Sequence, residues 1–268
     1  MPKIRIQKVL SEAGLASRRA AEQMVLEGRI SVNGSTVTDL PCFVDPAADK
    51  IRLDGRIVAK RPAGRVYFLL NKPRGVLCTQ SDPRGRRRAV DLVPEIPGRR
   101  VYCVGRLDAD STGLLLLTDD GELTQYLTHP RYGVPKTYVV RIDGVLTGEQ
   151  ISRLKSGVFL DGERTGGAGL KVLRKSPTQS LIEVTLTEGR NREIRRILLG
   201  FGVKVRRLKR VAIGPITDRG LKVGSFRALR AVEVARLRRC GRQPLERRRP
   251  TGRRPPARKP PDRPAGGC

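Results

Sequence analysis

The chain has no tryptophan, a single histidine (His129), two methionines and five cysteines among its 268 residues. Each scarcity excludes a class of chemistry. Cys42, Cys78, Cys103, Cys240 and Cys268 are odd in number, far apart and without a C-x-x-C pair, so neither a disulfide framework nor a zinc ribbon fits. One histidine cannot supply a multi-histidine metal or acid–base site, which leaves carboxylate, arginine and tyrosine as the reactive groups. No apolar run approaches the ~20 residues of a membrane-spanning helix, and the start MPKIRIQKVL has no signal-peptide core. A soluble, cytoplasmic protein is expected.

What the chain has in excess is positive charge: 55 Lys and Arg against 26 Asp and Glu, a formal net charge of +29. Nucleic acid is the partner such a charge fits best, because basic side chains displace counterions from phosphates and steer association at long range. The length exceeds the usual single domain of roughly 100–200 residues, so a main domain and a smaller module are expected.

Ile6, Val9, Leu10 and Ala13 recur at helical spacing before Gly14, and Ser17 is placed to cap a second helix with apolar face Ala21, Met24 and Val25, closed by Gly28. Ile30 and Val32 then alternate up to Asn33-Gly34, a strong hairpin signal, with Val37 resuming the strand. Further strands over 51–53 and 57–58 flank Asp54-Gly55, and residues 60–64 read as a linker. The stretch IQKVLSEAGLASRRAAEQMVLEGRISVNG resembles the alpha-L RNA-binding module of ribosomal small-subunit protein four. That resemblance implies an RNA-binding domain over residues 1–60 that presents Arg5, Lys8, Arg18, Arg19 and Arg29 to phosphates; on residue types alone these form only a solvated basic face.

From Arg65 onward, strands are expected at 67–71, 101–107, 137–142 and 181–186, and helices at 122–127, 149–154, 192–199 and 229–237. This pattern predicts an α+β domain over residues 65–239 built on a largely antiparallel mixed sheet. Residues 240–268, rich in proline and arginine, are expected to form a disordered basic tail.

The segment VYCVGRLDADSTGLLLLTDDGEL places Asp108 beside Arg106 between two expected strands. An aspartate fixed there and kept ionised by a cation can act as a nucleophile; a turn aspartate is the bland alternative. Asp108, Asp110 and Thr112 imitate the opening of a calcium loop, but position twelve is Asp119 rather than the bidentate Glu and leucines fill the second half. Asp110 and Asp119 are read as turn residues, and Lys72 and Pro73 as structural.

Three motifs in order, LNKPRGVLCT at 70–79, GRLDADSTGLLLLTDDGEL at 105–123 and EGRNREIRRIL at 188–198, resemble the bacterial ribosomal-RNA pseudouridine synthases of the Rsu/Rlu group. The wording N-R-E-I-R-R is more similar to the large-subunit branch. The resemblance implies that Asp108 is the catalytic aspartate, Tyr138 the active-site tyrosine and Arg195 the basic residue paired with the aspartate. It also implies action on ribosomal RNA or a pre-ribosomal particle, with no cofactor and no metal. Arg106 is a candidate to help extrude the target base, and Arg190, Arg192 and Arg196 are candidates for phosphate contacts. The chain is expected to act as a monomer. The rival reading is a non-catalytic RNA-binding ribosome assembly factor.

Overall fold

In the computed structural model, residues 3–59 and 63–240 are described. The first segment opens with the two-residue strand Ile4–Arg5, paired antiparallel with Phe43–Val44, and runs into helix α1 (Ile6–Glu12), which ends where Gly14 takes φ +81°. Helix α2 (Arg18–Leu26) starts where the Ser17 hydroxyl accepts from the Ala20 N–H at 3.1 Å. Strands β1 (Ile30–Val32) and β2 (Ser35–Val37) form the hairpin, with Asn33 and Gly34 both at positive φ as its two-residue turn requires. Strand β3 (Ile51–Leu53) pairs with β1 and with β4 (Arg56–Ile57), one residue earlier than the sequence predicts. Ile6, Leu10, Ala21, Val25, Ile30, Val44 and Ile51 pack into one core cluster.

A second, larger sheet contains β5 (Tyr67–Lys72), β6 (Thr112–Thr118), β7 (Lys136–Asp143), β8 (Gly169–Lys175), β9 (Gln179–Leu186), β10 (Val205–Ile213) and β11 (Phe226–Ala228). Its order is β8-β9-β7-β10-β6-β5-β11. Along this path only β10 and β6 run parallel, so the sheet is mixed and largely antiparallel. The leucine run explains why β6 lies at the centre. Leu114 and Leu116 face the cluster made with α3 (Gly121–Thr128) and α6 (Ala231–Cys240), while Leu115 and Leu117 pack with Val76, Ala89 and Val93 on the other face. Both faces of this strand are therefore dry. The β7 and β9 end packs against α4 (Gly148–Ser156) and α5 (Glu193–Gly200) through Val140, Ile182, Leu154, Ile194 and Leu198.

The parallel junction depends on Gly113. It adopts φ +106°, and a Cβ there would lie 2.2 Å from the Arg210 carbonyl oxygen. No larger residue fits without parting the strands.

One expected element shrinks. Instead of a strand over 101–107, only Tyr102–Cys103 pairs with β6, and residues 104–111 form a loop. The linker at 60–64 falls partly, and the tail at 240–268 almost wholly, outside the described residues. Among those residues no helix is long and apolar enough to cross a membrane.

Candidate active site

The loop carrying Asp108 is held from below by the first motif. Lys72, the last residue of β5, is fully buried and donates its ammonium to the carbonyls of Pro73 (3.0 Å) and Val76 (2.9 Å). That fixes the turn from which the Gly75 N–H donates to the Ala109 carbonyl at 2.7 Å. Cys78 then accepts from the Leu107 N–H at 3.3 Å. The residues on both sides of Asp108 are thus tied to motif one. Burial pushes the Lys72 ammonium below its ordinary range. The Cys78 thiol is lowered from its ordinary value, first by the Cys103 thiol, then by the Leu107 N–H and the cations Lys72 and Arg210, with burial opposing.

Asp108 faces a cleft of about 350 Å³ lined also by Arg106, Ser111, Tyr138, Arg190, Arg192, Glu193 and Leu208. Tyr138 lies on the cleft side of β7, only 9% exposed. The third motif closes the site across from it. Arg192 adopts the left-handed region, φ 47°, at the N-cap of α5 without a side-chain cap. That conformation costs a non-glycine residue roughly 1–2 kcal/mol. It places the guanidinium against the Asp108 loop, with Nη1 3.3 Å from Asp108 Oδ2 and 3.6 Å from Asp110 Oδ1. Arg195, one helical turn later, sets Nε 3.9 Å from Asp108 Oδ2 and Nη2 3.1 Å from Asp110 Oδ2, and Nη2 also reaches Ser111 Oγ at 3.4 Å.

The sequence-predicted residues are partly brought together. Asp108, Tyr138 and Arg106 line the cleft, Arg195 does not line it but sets its Nε 3.9 Å from Asp108 Oδ2, and exposed Arg106 has no hydrogen-bond or ion-pair partner among the described residues. Arg192, a candidate phosphate contact from sequence, lines the cleft and is the cation nearest Asp108 among the described residues. Arg195 pairs more closely with Asp110 than with Asp108, so Asp110 is more than a turn residue. Asp119 is also more than a turn residue: its carboxylate accepts from the Val66 N–H at 3.0 Å and from Arg99 Nη1 at 2.9 Å.

Several phosphate candidates are engaged within the chain. Arg190 lines the cleft but spans Glu188 (3.0 Å) and Glu163 (3.2 Å). Arg196 turns away to Asp161, donating at 2.7 Å. Arg29 makes two bonds to Asp54, at 3.0 and 2.7 Å. Arg5, Lys8 and Arg18 do converge, lining a groove with Gln7 and Glu22, and Arg19 is exposed nearby in the chain.

Two groups were not legible as site residues. Glu193 is buried at the cleft with its carboxyl raised by burial. Lys136 shares the β7 face of Tyr138, and burial followed by Arg210 pushes its ammonium down to about 8. Both lie next to recognised motif residues, yet burial is the property that marks them.

Comparison with known proteins fits this geometry. Residues 66–199 match the family described as RNA pseudouridylate synthase, and residues 4–41 match the S4 domain. The chain is 43% identical to the ribosomal large subunit pseudouridine synthase B of Bacillus subtilis (strain 168), covering 87% of this chain and 95% of that one. It is 42% identical to an RNA pseudouridine synthase of Aquifex aeolicus (strain VF5), covering 88% and 94%. A solved pseudouridylate synthase superposes with a TM-score of 0.64 at 28% identity, covering 87% of this chain and 99% of that one. The chain belongs to the RNA pseudouridylate synthase family and carries an N-terminal S4 domain.

Proposed function

We propose that this protein converts a specific uridine of large-subunit ribosomal RNA to pseudouridine, with Asp108 as the catalytic carboxylate. The observation that carries the reading is Asp108 itself, facing a cleft of about 350 Å³ opposite Tyr138 and flanked by two guanidiniums. The reaction breaks a C–N glycosidic bond, turns the base and forms a C–C bond from the same atoms. Nothing is oxidised and nothing is added, so carboxylate chemistry suffices and no cofactor is called for. A carboxylate serves such a step by adding to sugar or base, or by stabilising positive charge at the anomeric carbon. Tyr138 stacks on the uracil and assists departure of the C5 proton, while Arg195 supplies positive charge beside Asp108, its Nε 3.9 Å from Oδ2. Arg106, unpaired at the mouth, helps extrude the base at a cost of a few kcal/mol.

Residues 1–60 recruit the RNA through Arg5, Lys8, Arg18 and Arg19, residues 65–239 form the catalytic domain, and residues 240–268 form a basic tail. The protein acts in the cytoplasm as a monomer, on ribosomal RNA or a pre-ribosomal particle. The 40–44% identity to large-subunit enzymes and their relatives supports that substrate. The test is a map of pseudouridines in ribosomal RNA from cells with and without the protein. Loss of one large-subunit site, restored by the intact protein but not by Asp108→Asn, is expected; an unchanged map would overturn the assignment.

A further inference from the structure

Two carboxylates and two guanidiniums meet where Asp108 and Arg192 line the cleft and Asp110 and Arg195 stand beside them, and their distances do not follow the simple pairing of one catalytic aspartate with one arginine. The shortest ion pair that Arg195 makes is to Asp110, at 3.1 Å, and its Nε stands 3.9 Å from Asp108, beyond hydrogen-bond reach. Arg192 Nη1 is shared between Asp108 and Asp110. Two polar atoms of the cluster, Arg195 Nε and Asp110 Oδ1, are buried with no hydrogen-bond partner among the described residues. A buried donor left unsatisfied is costly, so Arg195 keeps this pose only because its other end is held. The Arg195 side chain is 13% exposed and held at its Nη2 end by Asp110 and Ser111.

We propose that Asp110 is a positioning residue for the isomerisation, holding Arg195 by its outer edge so that Nε faces Asp108 without closing on it. The proposal rests on the isomerase reading above. A guanidinium free to rotate would form a two-pronged pair with the nearest carboxylate, the usual geometry of arginine and carboxylate. Without Asp110 that carboxylate is Asp108, and the pair would both restrain the reactive oxygen and occupy space the uridine needs. With Asp110 in place, a shift of about 1 Å brings Nε into hydrogen-bond range of Asp108, the tightening expected when substrate fills an empty site. Misplacement of a reacting group by such a distance costs about 100-fold in rate.

The test is single-turnover tritium release from C5-labelled uridine in a large-subunit ribosomal RNA fragment at saturating protein, beside the Kd for the same RNA. The arms are the unsubstituted chain, Asp108→Asn, Asp110→Ala and Asp110→Asn. Asp110→Ala is expected to slow release about 100-fold and Asp110→Asn, which keeps an acceptor for Arg195, about 10-fold, both with Kd within about twofold. A purely structural role would move stability and Kd together with rate and would give no rescue by asparagine. An Asp110→Ala protein as fast as the unsubstituted chain overturns the proposal, as does an asparagine variant as slow as the alanine one. If Asp110→Ala fails to fold, Asp110→Asn decides alone, and an unchanged rate overturns it. An unsubstituted chain that releases no tritium overturns the isomerase reading instead, a separate failure.

Discussion

Lys136 shows at the scale of one residue how the site's surroundings work against the fold. Its ammonium sits on the Tyr138 face of β7, where burial and Arg210 lower it from 10.5 to about 8. The folded chain therefore binds fewer protons than the unfolded chain between those two values. Stability attributable to this group rises as pH climbs through that window, and the full cost of burying the charge is present below it. Lys136→Met should be more stable than the parent near pH 7, with the gap closing by about pH 10.5, as read by denaturant midpoints across pH. A gap that stays constant would show that the ammonium is compensated. Cys78 offers a second reading at this scale. With its thiol lowered, chiefly by the Cys103 thiol, while burial and Asp49 raise Cys42, a small alkylating reagent near pH 6.5 should label Cys78 ahead of Cys42. Peptide mapping that finds Cys42 labelled ahead of it would contradict stabilisation of the Cys78 thiolate by the Cys103 thiol and the Leu107 N–H.

Among the elements, the parallel contact of β10 with β6 is the least replaceable. Gly113→Ala would drive a methyl group to within 2.2 Å of the Arg210 carbonyl oxygen, in a backbone conformation alanine disfavours. A loss of about 3 kcal/mol is expected, which for a chain of this size lowers Tm by roughly 6–12 °C. An unaltered Tm would mean that the strands part without cost. The same elements show where sequence reading reaches and where it stops. The Asn33-Gly34 hairpin, the Ser17 cap and the helix of the third motif were legible because turn chemistry, capping and 3.6-residue periodicity are local properties. The supposed strand over 101–107 was not, because residues 104–111 are shaped by contacts with Gly75 and Cys78, about 30 residues earlier in the chain. Asp108 and Tyr138 stood out through motif resemblance. The pairing of Asp110 with Arg195 and the turning of Arg192 toward Asp108 depend on α5 meeting the loop across more than 80 residues, which no spacing rule conveys.

Across the whole molecule the +29 charge is divided unevenly between function and folding. Arg29, Arg190 and Arg196 are engaged by carboxylates, so fewer cations are free for phosphate than composition suggests. Residues 241–268 carry nine basic and two acidic residues, a net +7. If that tail touches phosphate, its removal should weaken non-specific RNA binding and flatten the salt dependence of affinity, by a slope of about 0.7 for each contact to single-stranded RNA. An unchanged slope would assign the tail no part in binding.

Whether Asp108 carries the isomerisation is decided by tritium release from C5-labelled uridine in ribosomal RNA by the Asp108→Asn protein, with RNA binding measured on the same preparation. Asparagine preserves size and hydrogen bonding but has neither the charge nor the nucleophilicity that glycosidic cleavage needs. The account predicts no release with binding intact; full release by Asp108→Asn would contradict it.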